Sequence, residues 1–286
     1  MPRESLAQMS GILKVRRRIP PLFAVPTTAG TGSECTVAAV VTDAKSRHKY
    51  PINDFPLIPR YAVLDPEVTR SLPASLTATT GMDALTHAVE AYIGRSTTKE
   101  TREEAREAVR LIFSHVERAY ENGDDVEARR AMLQAAFLAG DAFSKSYVGY
   151  VHAIAHALGG CYNIPHGLAN AVLLPIVLDG YGDSAAAKLH ELAVVAGVAS
   201  EEESDSLAAE KFIMTIRGLN ARMGIPTTLR GIREEDIRRL SQYADAEANP
   251  LYPVPCLWNA SQLERFFYLV MEEKKEIRVG RVALAT

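Results

Sequence analysis

Apolar residues in the first quarter of the chain occur in short runs that end at prolines or glycines. Such runs are typical of buried strands, because proline interrupts backbone pairing and glycine favours turns. We expect strands at 20–26, 35–42 and 61–65. The tail of a helix is predicted before them, at 5–13, and a polar connection interrupted by prolines is predicted between the second and third strands, at 43–58.

The rest of the chain shows the spacing of amphipathic helices. From Leu76 onwards, apolar residues recur every three or four positions, so that they line one face of a helix. We predict helices over 76–93, from Thr97 through 106–120, and over 126–146, 185–197, 203–223, 232–245 and 261–273. The pattern indicates an α/β part at 1–74, followed by an all-helical domain at 75–286.

Two stretches with helical spacing carry side chains that bind metal ions. Asp83 and His87 are four residues apart, and so are His152 and His156. On a helix this spacing directs both members of a pair to the same face. Carboxylate and imidazole ligands suit Fe(II), Zn(II), Co(II) or Mn(II), and the lack of thiolate ligands argues against a structural zinc site of the cysteine type.

A further imidazole follows the second pair. We expect Gly159-Gly160 to end that helix, because glycine tolerates the positive φ angles of helix ends, and Pro165 to begin the next element. This turn brings His166 back towards the first two histidine positions. The two stretches together offer one carboxylate and up to four imidazoles to a single divalent cation.

A loop of small and hydroxylated residues, Thr27–Ser33, directly follows the first predicted strand. Its two glycines let a ligand approach the backbone closely, and its hydroxyl and N–H groups suit a phosphate. Lys49 would add a positive charge near such a ligand. An ordinary turn after a strand is the alternative interpretation of the same residues.

The composition narrows the range of partners and compartments. A formal net charge of −3 and a pI of about 6.2 predict neither a nucleic-acid partner nor a membrane partner. Three cysteines without a C-x-x-C pair fit free thiols in a reducing compartment. We expect no signal sequence and no membrane span, and hence a cytoplasmic protein.

Three motifs of the chain resemble those of the iron-containing (group III) alcohol dehydrogenases. They are Pro26–Glu34, Gly81–Tyr92, and His152-x-x-x-His156 with Pro165-His166-Gly167, and they occur in the family's order. The resemblance implies a dehydroquinate synthase-like architecture, in which an α/β dinucleotide-binding domain precedes an all-α catalytic domain. It also implies a homodimer that transfers hydride between a small alcohol or aldehyde and NAD or NADP. Fe2+ is the implied metal, with Zn2+ as the alternative.

The resemblance also assigns a role to individual residues. The residues that correspond to the family's metal ligands are Asp83, His87, His152 and His166. His156 corresponds to a histidine that does not bind the metal but lies beside the nicotinamide and the substrate, so it is the candidate catalytic residue. The residues that correspond to cofactor contacts are Thr27, Thr28, Thr31, Lys49 and Leu76.

The chain differs from this family near its N-terminus. Family members begin with a longer dinucleotide-binding lobe, in which a Gly-Gly-Gly-Ser turn binds the pyrophosphate. This sequence contains no such turn. We therefore expect an N-terminally truncated version of the fold, with an α/β remnant at 1–74. Either a late start of the reading frame or a loss of the first strands would produce this truncation.

Three other functions are compatible with parts of the pattern. A metal-binding remnant with impaired catalysis would agree with the missing glycine turn. A metallohydrolase would use the same cation to generate hydroxide, but it would leave Thr27–Ser33 without a role. A zinc-dependent relative of glycerol dehydrogenase or dehydroquinate synthase would share the architecture, but it would not be expected to carry all three motifs.

Overall fold

The computed structural model describes residues 5–16, 19–42 and 49–272, and the N-terminal part of these residues forms two small sheets. The strands are β1 (Gly11–Ile12), β2 (Phe23–Ala24), β3 (Ala38–Thr42), β4 (Lys49–Asn53) and β5 (Tyr61–Ala62). In the first sheet β4 lies between β1, to which it is parallel, and β3, to which it is antiparallel. In the second sheet β2 pairs in parallel with β5.

The three predicted strands exist, but two of them are much shorter than expected. The run at 20–26 pairs only along β2, and the run at 61–65 pairs only along β5, whereas β3 covers most of 35–42. The polar connection predicted at 43–58 did not include a strand, whereas the described part of that stretch contains β4. Pro51 concealed this strand, since proline is rare at the centre of a sheet.

The prediction of a helix at 5–13 is also wrong. This segment contains a single 3-10 turn at Leu6–Met9 and then enters β1. Gly11 and Leu13 have φ angles of 106° and 56°. A right-handed helix cannot contain these backbone conformations, so the chain leaves the helical path after one turn.

From Ala74 onwards, the described chain contains nine α-helices. They are α1 (Ala74–Ile93), α2 (Lys99–Glu121), α3 (Val126–Ser146), α4 (Tyr150–Tyr162), α5 (His166–Tyr181), α6 (Asp183–Val195), α7 (Asp205–Arg222), α8 (Ile237–Ala248) and α9 (Ala260–Val270). Every predicted helical range from Leu76 onwards overlaps one of them, so the prediction of an α/β part followed by an all-α part is confirmed. None of these helices is both long enough and apolar enough to cross a lipid bilayer.

α1 is the central helix of the helical part. Fifteen of its twenty residues are buried, and it packs against α2, α3, α5 and α6. The packing is close, since a Cβ on Gly81 would lie 2.8 Å from Cγ2 of Val116 in α2. A helix enclosed in this way is expected to be apolar all round. The buried Asp83, His87 and Glu90 therefore need partners in the protein or in a bound ligand.

The end of α4 differs from the prediction. Gly159-Gly160 lies within the helix and does not end it. The helix ends one turn later at Asn163, which takes the left-handed conformation with φ 56° and ψ 31°. Asparagine tolerates this conformation better than most residues with a side chain. α5 begins at His166, directly after Pro165, as the sequence predicted.

Candidate metal centre

Three helices bring one carboxylate and three imidazoles together. α1 supplies Asp83 and His87, α4 supplies His152, and α5 supplies His166 as its first residue. The potential ligand atoms of these four side chains all lie within 4.8 Å of one another. The structure thus brings together the four residues that were predicted from the sequence to bind a metal ion. These four side chains are called the ligand group below.

The spacing within this group matches that of ligands around one cation. Asp83 Oδ1 lies 3.5 Å from Nε2 of His166 and 4.0 Å from Nε2 of His152. The rings of His87 and His152 stack, with their centroids 4.6 Å apart. Four tetrahedral bonds of about 2.1 Å would place the ligand atoms roughly 3.4 Å apart. Small side-chain shifts would therefore complete the coordination of a cation.

The electrostatics of the group also favour a cation. Burial lowers the pKa of His87, His152 and His166, so their imidazoles are neutral and can each offer a lone pair. Within the part of the chain that the structure describes, the buried Nδ1 of His87 and the buried Oδ1 of Asn170 make no hydrogen bond, as is typical of polar atoms grouped around a ligand site. Three nitrogen donors and one carboxylate fit Fe(II) or Zn(II), which these residues would hold.

Asn170 lies beside the group, four residues after His166 on α5. Its Nδ2 is 2.6 Å from Asp83 Oδ1, 3.1 Å from Nε2 of His166 and 3.2 Å from Nε2 of His152. An amide nitrogen has two hydrogens and can donate to only two of these atoms at once. The shortest contact shows that Asn170 donates to the Asp83 carboxylate and holds it in place. Asn170 was not identified from the sequence, although its helical spacing from His166 was a usable signal.

Glu90 lies on the opposite side of His152 and was also not identified from the sequence. Its Oε2 is 2.6 Å from Nδ1 of His152, and the carboxylate also accepts the backbone N–H groups of Gly149 and Val151. Burial raises the pKa of Glu90 to about 7, although these N–H groups lower it. The available signal was an acidic residue seven positions after Asp83, hence on the same face of an otherwise apolar part of α1.

His156 adjoins the ligand group without belonging to it. Its ring stacks on that of His166, with centroids 5.1 Å apart, and its side chain is 45% exposed. Nδ1 lies 2.6 Å from Oε1 of Glu247, which also accepts the hydroxyl of Tyr252. Burial lowers the pKa of His156, but the hydrogen bond to Glu247 and the nearby carboxylates outweigh it, and the net shift is upward. His156 therefore connects the ligand group with the solvent.

Two glycines fix the threonine loop, residues 27–33, to the helices around the ligand group. A Cβ on Gly30 would lie 2.6 Å from the carbonyl oxygen of Thr80 in α1. A Cβ on Gly32, whose φ is 60°, would lie 2.6 Å from Cα of Gly140 in α3. Because Thr80 is three residues before Asp83, the loop lies against α1 within one turn of a ligand.

For the five residues predicted to contact the cofactor, the structure gives positions and, for the four side chains that it describes, exposure, but no grouping like that of the metal ligands. Thr27 and Thr31 are exposed in the threonine loop, and Thr28 is half-buried. Leu76 is 47% exposed in the first turn of α1. Lys49 is the first residue of β4, and its side chain lies outside what the structure describes. The role of these five residues as cofactor contacts stays a prediction.

Two family models match the chain. The model for the C-terminal part of the Fe-containing alcohol dehydrogenase family matches residues 77–265, and the model for iron-containing alcohol dehydrogenases matches residues 4–66. The first match alone covers more than half of the chain and includes all four residues of the ligand group.

Individual relatives agree with this match. The chain is 42% identical to 1,3-propanediol dehydrogenase of Klebsiella pneumoniae over 246 residues, which cover 85% of this chain and 64% of that protein. It is 40% identical to NAD-dependent methanol dehydrogenase of Bacillus methanolicus over 239 residues, which cover 82% of this chain and 62% of that protein. The matched part thus spans less than two thirds of the length of each relative.

The three-dimensional fold also agrees with the family match. The crystal structure of a 1,3-propanediol oxidoreductase superimposes with a TM-score of 0.89 at 39% identity, over 93% of this chain and 70% of that one. The ligand group, the family models and the superposition all lead to one conclusion. The chain belongs to the family of iron-containing alcohol dehydrogenases.

Proposed function

We propose that this chain carries the catalytic centre of a metal-dependent, NAD(P)-linked alcohol dehydrogenase. The reaction is reversible hydride transfer between a small primary or secondary alcohol and nicotinamide, with Fe2+, or alternatively Zn2+, at the centre. The observation that carries the proposal is the convergence of Asp83, His87, His152 and His166. The relatives named for methanol and for 1,3-propanediol favour short-chain alcohols as substrates.

A divalent cation in this group supplies Lewis-acid activation of an alcohol or aldehyde oxygen. The side chains of the ligand group determine the net charge around the cation and its position. Asp83 is the single carboxylate of the ligand group, and the three imidazoles are neutral. With a divalent cation bound, these four side chains would leave a net positive charge beside the substrate oxygen, which would favour negative charge on that oxygen.

His156 is the residue that we assign to proton transfer. Its ring lies beside His166, and its Nδ1 is bonded to Glu247. A proton taken up on Nε2 from the alcohol hydroxyl can leave from Nδ1 to Glu247, whose side chain is 33% exposed to solvent. Imidazole suits this task because its ordinary pKa is near the working pH.

The threonine loop is the proposed binding site for the dinucleotide. The exposed hydroxyl groups of Thr27 and Thr31, together with backbone N–H groups around Gly30 and Gly32, suit phosphate oxygens. A dinucleotide bound there would lie next to the ligand group, since the loop packs on α1. The relative named NAD-dependent makes NAD the first cofactor to test. A cytoplasmic homodimer stays a prediction.

Metal loading and nucleotide binding test this proposal separately. The chain would be purified without oxygen, stripped with a chelator and reloaded with Fe2+, Zn2+ or Co2+, and its metal content would be measured by mass spectrometry. We expect a single equivalent of metal and the reduction of NAD+ or NADP+ by 1-propanol or 1,3-propanediol.

The same preparations separate the alternatives. A metal-loaded chain that does not enhance NADH fluorescence would favour a metal-binding remnant with impaired catalysis. A chain that binds no stoichiometric metal would refute the proposed centre.

A further inference from the structure

Glu90 connects the two helices that supply three of the four residues of the ligand group. It lies on α1, three residues after His87, and its side chain is 1% exposed. Its Oε2 is 2.6 Å from Nδ1 of His152 on α4, 62 positions away in the sequence. The contact is therefore a long-range link inside the core.

The same carboxylate also accepts hydrogen bonds from the N-terminus of α4. The N–H of Gly149 donates to Oε2 at 2.8 Å, and the N–H of Val151 donates to Oε1 at 2.7 Å. These N–H groups have no partner within the helix, and the helix dipole favours negative charge at this end. A Cβ on Gly149 would lie 2.7 Å from Oε1 of Glu90, so only glycine leaves room for the contact.

These contacts determine which nitrogen of His152 carries the proton. Both oxygens of Glu90 accept a backbone N–H, and these two hydrogen bonds favour the ionised carboxylate, which can only accept from His152. The imidazole must then donate from Nδ1. In a neutral ring this leaves a lone pair on Nε2, which faces the ligand group 4.0 Å from Asp83 Oδ1. Nε2 is thus the atom free to bind a cation.

We propose that Glu90 is a positioning residue of the metal centre, which holds His152 as the Nδ1-protonated tautomer with Nε2 directed at the cation. This inference rests on the proposed function, because it requires a cation between the four ligands. A carboxylate behind a ligating imidazole fixes the orientation of the ring and makes its free nitrogen more basic. Loss of such a contact typically lowers metal affinity by about 10- to 100-fold.

A helix cap that does not contact the ligand group provides the matched control. Asp125 caps α3 by accepting the N–H of Ala128 at 2.9 Å, and its other oxygen bonds to Arg118. The substitution D125N removes the charge of the cap and breaks the ion pair with Arg118 but leaves the ligand group intact. Variants of Glu90 and Asp125 can therefore separate an effect on metal binding from an effect on helix stability.

Co2+ is the probe for the first experiment, because its visible absorption reports both affinity and coordination geometry. We expect E90Q and E90A to bind Co2+ more weakly than wild type, by about 10- to 100-fold in E90A, and to show shifted absorption bands. D125N is expected to keep the wild-type affinity and spectrum, even if its thermal stability falls. Circular dichroism would confirm that each variant is folded.

The tautomer of His152 is tested without any metal. In the apo protein labelled with 15N-histidine, NMR should show His152 protonated on Nδ1 and not on Nε2. E90A should remove this preference. A wild-type His152 that is protonated on Nε2 would overturn the inference, whatever the variants do.

The outcomes also distinguish this inference from the proposed function. A wild-type chain that binds Co2+, together with an E90A variant of equal affinity and identical spectrum, would refute the role of Glu90 alone. A wild-type chain that binds no Co2+ would refute the proposed metal centre, and the role of Glu90 with it.

Discussion

Gly167 lies directly against the backbone of Thr79: a Cβ on the glycine would be 2.5 Å from the carbonyl oxygen of the threonine. This contact seats the first turn of α5 on α1. His166 is the residue next to Gly167, and Asp83 is one turn after Thr79. The close approach of the two backbones therefore sets the 3.5 Å distance between Asp83 Oδ1 and Nε2 of His166.

Replacing this glycine should disrupt the metal centre. We expect G167A to displace α5 from α1, to destabilise the fold by about 1–3 kcal/mol through overpacking, and to weaken Co2+ binding. Thermal unfolding and a Co2+ titration would measure both effects. The control is G160A in α4, where a Cβ would meet none of the described atoms within 4 Å. This control should be neutral or slightly stabilising. Wild-type Co2+ affinity in G167A would contradict the role of the contact.

Removing the cation should lower the stability of the chain. Without the cation, the side-chain amide of Asn170 is the only hydrogen-bond donor to the buried carboxylate of Asp83 among the described residues. A cation present at 100 times its dissociation constant would stabilise the folded chain by about 2.7 kcal/mol. The unfolding temperature, measured with and without a chelator, would report this difference. The difference should disappear in D83A, and its persistence there would place the bound metal elsewhere.

Replacing His156 should separate turnover from metal binding. We expect H156A to keep its metal and to lose between about 100-fold and 10,000-fold in turnover, which is the usual contribution of a proton-transferring side chain. Metal analysis and steady-state kinetics would test this. H190A is the control, because His190 bonds to Asp205 and to the Ser200 carbonyl and lies outside the ligand group. Loss of metal in H156A would show that the ligand assignment is wrong.

Removing hydroxyl groups from the threonine loop should weaken nucleotide binding and leave metal binding unchanged. We expect T27V and T31V each to raise the dissociation constant for NADH by about 2- to 10-fold, the effect of one lost hydrogen bond. Metal content should not change. T215V is a suitable control, since the Thr215 hydroxyl bonds to the Lys211 carbonyl within α7. Unchanged NADH affinity in both loop variants would move the nucleotide site away from this loop.

The helical part could be predicted from the sequence because its pattern is local. α3 matches the predicted range 126–146 at both ends, and Asp125 caps it directly before its first residue. In the N-terminal part, β2 and β5 contain only two residues each, which is too short for an alternating pattern to appear. The end of α4 at Asn163 was missed because two glycines precede it, although neither adopts the conformation for which glycine is favoured.

The ligand group could be predicted for the same reason, whereas its supporting residues could not. The helical spacing of Asp83 with His87, and the turn that returns His166, are visible in short stretches. The supporting contacts depend on tertiary packing, and their separations in sequence are 62 residues for Glu90 with His152, 87 for Asn170 with Asp83 and 91 for Glu247 with His156. Helical spacing alone does not predict which of these residues will meet.

Because α1 is enclosed by four other helices, few positions near the metal ligands on α1 can be substituted to change the substrate preference. A substitution near Asp83 or His87 alters the interior of the domain together with the reaction centre. The side chains of His156 and Glu247 face partly into water, so their neighbourhood can change without disturbing that interior. Evolution of substrate preference is therefore expected on the solvent side of His156, while the buried helix is retained.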